Sequence, residues 1–169
     1  DIFIEYTKSS PEDILIRVTV TNKSVNNAPL LLLPTIWFRN SWSWGYDDYR
    51  PQLSATDSHR ITINHKDLSM KNLYANQSSE VLFCDNETNN QRLYKVPNAG
   101  YFCKDGINDF IINGNKNAVN PADNGTKATF VIDEIIDADA TKIFEFRLCD
   151  KDLENPFLDF DSIFAQRKL

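Results

Sequence analysis

The chain has 169 residues, 41% of them hydrophobic and 25% charged, and these values suit one globular domain rather than a disordered chain or a membrane protein. The net charge of −6, with no local cluster of lysine and arginine, would repel phosphate backbones, so we expect no nucleic-acid partner. Widely spaced cysteines without a CxxC pair are typical of buried free thiols in a reducing compartment, which predicts a cytoplasmic location. The cysteines are Cys84, Cys103 and Cys149.

Four N-x-S/T sequons would instead fit a secreted protein. Such tripeptides arise easily by chance in a chain so rich in asparagine, so we keep the cytoplasmic prediction. The sequons begin at Asn22, Asn76, Asn86 and Asn124.

The first 38 residues contain three predicted strands. Ile2–Thr7 alternates in polarity, and Ile14–Thr21 places apolar side chains on one face and polar ones on the other. Leu30–Phe38 is apolar on both faces, which predicts a central strand of a sandwich, with a bulge or local edge at Pro34 because proline lacks a ladder donor. We expect these three strands to form an antiparallel meander.

The middle of the chain gives weaker signals. Asp47–Ser58 has few apolar residues and is predicted to be an exposed loop, and Asn113–Gly125 reads as a second long loop after a buried segment at Phe110–Ile112. Short strands are predicted at Arg60–Asn64, Leu73–Tyr74 and Glu80–Cys84.

Two longer strands follow, at Thr126–Ile136 and Thr141–Cys149. A charged linker at Asp150–Pro156 then leads to a helix through Ile163, Phe164 and Leu169, capped by Asp159 or Asp161. No other helix of useful length is evident. The sequence therefore predicts an all-β fold: an antiparallel β-sandwich over residues 1–149 with long loops, and a short C-terminal helical segment within residues 150–169.

Three polar and aromatic groups of residues are candidates for binding, because amide, guanidinium and indole groups hydrogen-bond to hydroxyls and stack on pyranose rings. They could contact a sugar, pack against another domain, or satisfy their own loops; the tryptophans could also cap the core. The first group is Arg39, Asn40, Trp42, Trp44 and Tyr46; the second is Asn86, Asn89, Gln91 and Arg92; the third is Lys104, Asp105, Asn108 and Asn120.

Catalytic residues are not indicated. Glycoside hydrolysis commonly needs two carboxylates about 5 to 9.5 Å apart, and the acids in aromatic-flanked loops are the pairs Asp105 with Asp109 and Asp47 with Asp48. A chain with 24 acidic residues contains such pairs by chance, so we assign none of them a catalytic role.

Metal and cofactor sites are not indicated either. His59 and His65 are six residues apart in a polar region, and neither their spacing nor their neighbours suggest zinc. Asp150–Glu154 has the alternating oxygens of a calcium loop but lacks its glycine and distal glutamate. No G-x-S-x-G nucleophile elbow occurs.

Four long motifs resemble the N-terminal β-domain region of large bacterial glucosidase-like proteins related to glycoside hydrolase family 63. They are IEYTKSSPEDILIRVTVTNKS (4–24), LLLLPTIWFRNSWSWGY (30–46), NETNNQRLY (86–94) and KDGINDFIINGNKNAVNPADNGTKA (104–128).

The resemblance implies a β-sandwich that precedes a separate catalytic (α/α)6 barrel, with the catalytic acids in that barrel. On this reading the chain alone is not an enzyme, and its expected partners are its own barrel and an oligosaccharide. A free-standing carbohydrate-binding module is the alternative.

Overall fold

The computed structural model describes residues 1–167, apart from the side chain of Thr56. Two antiparallel sheets pack face to face in the described chain, which confirms the predicted β-sandwich. The strands are β1 (Ile2–Ser10), β2 (Asp13–Thr21), β3 (Ala28–Leu32), β4 (Thr35–Trp37), β5 (Gln52–Asp57), β6 (Arg60–Asn64), β7 (Lys71–Ala75), β8 (Glu80–Cys84), β9 (Asn124–Gly125), β10 (Lys127–Ile136) and β11 (Thr141–Cys149). The helices are α1 (Asn90–Tyr94), α2 (Gly106–Asn113) and α3 (Phe160–Arg167).

The larger sheet has seven strands in the order β1-β2-β11-β7-β6-β5-β9. In the smaller sheet β10 is central, with β3 and β4 along one edge and β8 along the other. The inner faces of both sheets supply one apolar core, in which the rings of Phe130 and Phe146 stack with their centroids 6.3 Å apart. Each such buried aromatic side chain contributes about 2 to 3 kcal/mol by leaving water.

The apolar stretch Leu30–Phe38 is an edge strand, so its predicted central position is wrong. β3 and β4 pair with β10 in one continuous register and are separated only by Leu33 and Pro34. Pro34 has no N–H to donate, but its carbonyl accepts from the N–H of Phe130 at 3.3 Å. Proline is tolerated at an edge, where one side of the ladder is free.

The predicted meander is also wrong, because the third strand crosses to the other sheet. β2 pairs with β1 on one side and with β11 on the other, while β3 pairs with β10. The third strand thus lies in the second layer, where Leu30 and Leu32 pack against the core and Leu31, on the other face, is 43% exposed.

Three further predictions from the sequence need correction. Asp47–Ser58 is not wholly a loop, because it contains β5, in which Leu53 is fully buried. The expectation of no other helix is wrong, since α1 and α2 form. The predicted loop at Asn113–Gly125 contains a 3₁₀ turn at Lys116–Ala118 and the short β9.

The C-terminal helix is confirmed at Ile163 and Phe164, which are buried, while Leu169 lies outside the described residues. The predicted linker packs against the larger sheet, where the hydroxyl of Tyr74 donates to the carbonyl of Lys151 at 3.1 Å.

Two aspartates at the start of α3 bind arginines of the sheet. Asp159 accepts from Arg147 at 2.6 Å, and Asp161 accepts from Arg17. Arg17 also lies over the rings of Phe160 and Phe164, with its guanidinium carbon 5.3 and 4.6 Å from their centroids. The helix is therefore held to the outer face of the sheet by charge and by stacking.

The inner face of β1 extends beyond the smaller sheet. Ile2, Ile4 and Tyr6 lie on the same face as the core residues of β2, yet all three are exposed. An open apolar groove of about 270 Å³ lies between this face and the chain at Leu32–Thr35. No helix within residues 1–167 is both long and apolar enough to cross a lipid bilayer.

Candidate functional site

Trp42 and Trp44 lie on a single turn of 3₁₀ helix, not on an extended segment. Asn40 holds the start of this turn, because its side-chain oxygen accepts from the N–H of Ser43 at 3.1 Å. Gly45, with φ of 74°, ends it in a conformation that favours glycine. Two residues along such a turn point in different directions, so the two indoles have different surroundings.

Trp42 is held in an internal polar network. Its indole Nε1 donates to Glu87 Oε1 at 2.7 Å, and the guanidinium of Arg50 lies 5.7 Å from its ring centroid. Arg50 in turn pairs with Asp85 at 2.7 Å and with Glu87 at 3.4 Å. These contacts fix the 3₁₀ turn to the end of β8, so Trp42 has an anchoring role.

Trp44 and Tyr46 form the exposed part of this segment. Their side chains are 65% and 73% exposed, and their ring centroids are 6.2 Å apart with the planes tilted by 53°. The N–H of Tyr46 donates to the carbonyl of Ser41 at 3.2 Å, which closes the turn. This aromatic pair is thus held by a fixed turn with both rings accessible. Arg39 is exposed as well.

A polar cleft of about 460 Å³ brings together four of the sequence-predicted residues: Asn89, Arg92, Asp105 and Asn108. We call it the amide cleft, because five asparagines line it: Asn89, Asn108, Asn113, Asn115 and Asn117. α1, α2 and the 3₁₀ turn at Lys116–Ala118 supply its walls.

Gly106 sets the close approach of α2 to the 3₁₀ turn. A Cβ at this position would lie 2.1 Å from the carbonyl oxygen of Ala118, well inside van der Waals contact. Only glycine allows these two segments to meet, and their meeting forms one end of the cleft.

Asp105 is fully engaged within the cleft. Asn89 Nδ2 lies 3.2 Å from both carboxylate oxygens, and Arg92 Nη1 donates at 2.9 Å. The oxygen of the Asn89 side chain accepts from the N–H of Arg92 at 3.0 Å and so begins α1. The side chains that the sequence predicted as a binding group thus orient one another.

Asp109 is held as an ionised carboxylate by two asparagines. Asn113 Nδ2 and Asn115 Nδ2 donate to its two oxygens at 2.7 and 2.6 Å, and these bonds, that of Asn113 first, lower its pKa. Lys66 likewise lowers the pKa of Asp47 through a hydrogen bond of 2.5 Å. A general acid must carry a proton at working pH, so neither carboxylate suits that role.

Of the remaining candidates, two asparagines bind the main chain nearby and two residues have exposed side chains. Asn86 Nδ2 donates to the carbonyl of Phe38 at 2.8 Å, and Asn120 Nδ2 donates to that of Asn124 at 2.8 Å. Lys104 is exposed, and its main-chain N–H donates to the carbonyl of Glu87 at 2.9 Å. Gln91 is exposed on α1.

The two histidines are engaged with neighbouring groups. His65 stacks on Phe38 with centroids 4.9 Å apart and meets the edge of Tyr49 at 5.4 Å. His59 Nδ1 lies 3.3 Å from the carbonyl of Ala75. Within residues 1–167, no three His, Cys, Asp or Glu side chains are grouped so that they could hold a metal ion.

Sequence reasoning missed the group formed by Arg50, Asp85 and Glu87, and it missed Tyr101, which lines the amide cleft. Asp85 and Glu87 flank the candidate residue Asn86, and this alternation of acidic residues just after a buried strand was a usable signal. Nothing near Arg50 in the sequence shows that it reaches both acids.

The three cysteines are free and buried, as their spacing predicted. Burial raises the pKa of the Cys84 thiol to about 12, and it also raises the pKa values of Cys103 and Cys149. These thiols are therefore packing groups rather than nucleophiles.

Comparison with known proteins gives one weak similarity. No family model matches the chain. The uncharacterized protein YMR196W of Saccharomyces cerevisiae is 26% identical over 162 residues, in an alignment that covers 78% of this chain and 15% of the yeast protein. The chain thus spans about 15% of the length of this relative, whose description names no activity.

Proposed function

We propose that this chain is a non-catalytic β-sandwich domain of a glucosidase-like glycoside hydrolase, which packs on a catalytic (α/α)6 barrel and completes one side of its sugar pocket. The observation that carries this proposal is the exposed aromatic pair Trp44 and Tyr46, held by a turn that the Trp42–Glu87 bond fixes in place. Aromatic side chains that are rigid and accessible are typical of interfaces.

Uncovered apolar surface elsewhere supports a role as a packed domain. The inner face of β1 lies beyond the smaller sheet and lines an open groove. Contiguous exposed apolar patches on a monomer commonly mark sites that meet another surface. The 15% coverage of the yeast relative is consistent with a domain of a much longer protein.

The carboxylates support a non-catalytic role. Asp105 and Asp109 are bound by amides and by Arg92, and Asp47 is bound by Lys66. The pKa values of Asp109 and Asp47 are thereby lowered, whereas a glycosidase needs one carboxyl group that stays protonated. The free, buried thiols favour a cytoplasmic location for the protein.

The test is to clone the gene beyond the codon for Leu169 and to express residues 1–169 and the following segment separately. We expect the following segment to be an (α/α)6 barrel that binds residues 1–169 in size-exclusion chromatography. We expect glucosidase activity only in the complex or in the full chain. A gene that encodes no such barrel, or glucosidase activity in residues 1–169 alone, would refute the proposal.

A matched pair of variants tests the interface. Trp44→Ala should weaken binding to the barrel, because it removes a central exposed aromatic side chain. Val25→Ala is the control, since Val25 is also exposed but lies in the β2–β3 connection. Equal binding by both variants would show that the aromatic pair is not at the interface.

The aromatic pair also favours a second function, a free-standing carbohydrate-binding module. Exposed rings at 6.2 Å can stack on sugar rings without a second domain. Isothermal titration with gluco- and manno-oligosaccharides separates the two functions. Micromolar binding by residues 1–169 that Trp44→Ala abolishes would favour the module.

A further inference from the structure

We propose that the amide cleft binds a neutral pyranose ring, with Tyr101 as the stacking surface and the side-chain amides of Asn108 and Asn117 as hydrogen-bonding groups. This inference deepens the proposed function, because it names the ligand class and the residues on this domain's side of the sugar pocket. It assigns a role to Tyr101, which the sequence did not single out.

The size and lining of the cleft suit a small polyhydroxylated ligand. Its volume of about 460 Å³ lies within the range of about 300 to 1,000 Å³ that small-molecule sites occupy. A primary amide offers two donors and an acceptor within one planar group, so it can bind a sugar hydroxyl in either sense. Of the five amides that line the cleft, those of Asn108 and Asn117 are placed to bind hydroxyls of such a ring.

The charged groups of the cleft are satisfied, while two amides remain free. Asp105 is bound by Asn89 and Arg92, and Asp109 is bound by Asn113 and Asn115. The side-chain amides of Asn108 and Asn117 are exposed and make no hydrogen bond to the part of the chain that the structure describes. The bonded carboxylates and amides thus fix the shape of the cleft, and the amides of Asn108 and Asn117 are available to a ligand.

Tyr101 provides the apolar surface that a pyranose ring needs. Its side chain is 95% exposed, although the chain that follows it is fixed. The N–H of Asp85 donates to the carbonyl of Phe102 at 2.7 Å, and the neighbouring Cys103 is buried. A ring on such a fixed segment can stack on a sugar with little loss of conformational entropy.

The charge of the cleft selects against acidic sugars. One arginine, Arg92, lies among two aspartates, Asp105 and Asp109. Since Arg92 is already paired with Asp105, a carboxylate on the ligand would meet the charge of Asp109 without a free cation. A neutral hexose avoids this repulsion.

The experiment is a titration of ¹⁵N-labelled residues 1–169 with glucose and maltose, followed by NMR, with glucuronate as the acidic pyranose for comparison. We expect saturable shifts in the side-chain amide signals of Asn108 and Asn117, with a dissociation constant in the millimolar range because only one side of the pocket is present. Glucuronate should cause smaller shifts.

Two variants and two controls make the test specific. Tyr101→Ala should weaken binding about tenfold, and Asn108→Ala about fivefold. Tyr94→Ala and Asn64→Ala change exposed residues that do not line the cleft and should leave binding unchanged. Melting curves establish that each variant is folded.

The proposal is overturned if neither sugar causes saturable shifts, if the shifts map to Trp44 and Tyr46, or if glucuronate binds as well as glucose. It is also overturned if both cleft variants bind like the controls. These outcomes are independent of whether residues 1–169 bind a catalytic barrel, so this inference and the proposed function can fail separately.

Discussion

Replacing Arg147 by methionine should destabilise the fold strongly. Arg147 donates to both oxygens of Asp13, at 2.8 and 2.6 Å, and the two side chains are only 5% and 1% exposed. Methionine preserves much of the apolar volume but leaves the carboxylate of Asp13 buried without its cation. Breaking a buried pair in this way costs about 3 to 5 kcal/mol of unfolding free energy.

The matched control is Lys142→Met on the same strand, which removes a partly exposed pair with Glu134 and should cost less than about 1 kcal/mol. The double change Arg147→Met with Asp13→Leu should recover most of the loss, because replacing both members of a buried pair by apolar residues is often neutral. Urea unfolding followed by tryptophan fluorescence measures all of these variants. If Arg147→Met costs no more than Lys142→Met, the reasoning about the buried pair is wrong.

Amide exchange in the same variants tests the second set of hydrogen bonds that Arg147 makes. Its Nη1 donates to the carbonyl of Pro156 at 2.7 Å and to Asp159 at 2.6 Å, which ties the C-terminal segment to β11. The double variant lacks these two hydrogen bonds, so amide exchange in α3 should be faster than in the wild-type chain even though the global stability recovers. Exchange at the wild-type rate would show that the apolar contacts of α3 are sufficient.

Three other changes test separate features. We expect the isolated chain to self-associate through the exposed rings of Trp44 and Tyr46, because no second domain covers them. Trp44→Ala should weaken this self-association, measured by sedimentation at several concentrations, and alter the unfolding free energy by less than about 0.5 kcal/mol. Gly106→Ala should cost about 1 to 3 kcal/mol of unfolding free energy, because the added Cβ would clash with the carbonyl of Ala118. Gly114→Ala is the control: alanine at a φ of 66° should cost about 1 kcal/mol, with no clash. Burial raises the pKa of Cys84 from 9.0 to about 12, so above pH 9 the native state keeps a proton that the unfolded chain loses. The unfolding free energy, measured by urea titration, should therefore fall as the pH rises above 9. Cys84→Ser should reduce this fall.

Local patterns were sufficient for most of the strands. β2 and β11 alternate cleanly because one face meets the core, and both were predicted at nearly their observed bounds. β5 was missed because most of its side chains are polar, and among those that the structure describes only Leu53 is fully buried. The helix α2 was missed because it is short and includes two asparagines and a glycine, which all have low helix propensity.

Local patterns could not predict which strands pair with each other. Nothing in Leu30–Phe38 indicates that it pairs with β10, about a hundred residues later, because the pairing depends on how the whole sandwich closes. The same limit applies to the site. The motifs named Asn89, Arg92, Asp105 and Asn108, but only the fold shows that they share a cleft and that Trp42 faces Glu87 instead.

The late position of β10 and β11 in the chain has a consequence for synthesis on the ribosome. β10 is the partner of β3, β4 and β8, and β11 joins β2 to β7, so neither sheet can close until the last of these strands has been made. β1 can pair with β2, and β6 with β5 and β7, before that point, but β3, β4 and β8 have no partner until β10 has been made. Folds dominated by such distant pairings form slowly and are exposed to aggregation meanwhile. A nascent chain of this protein is therefore a natural client for chaperones, and a stop codon before Cys149 would leave strands without a core rather than a smaller domain.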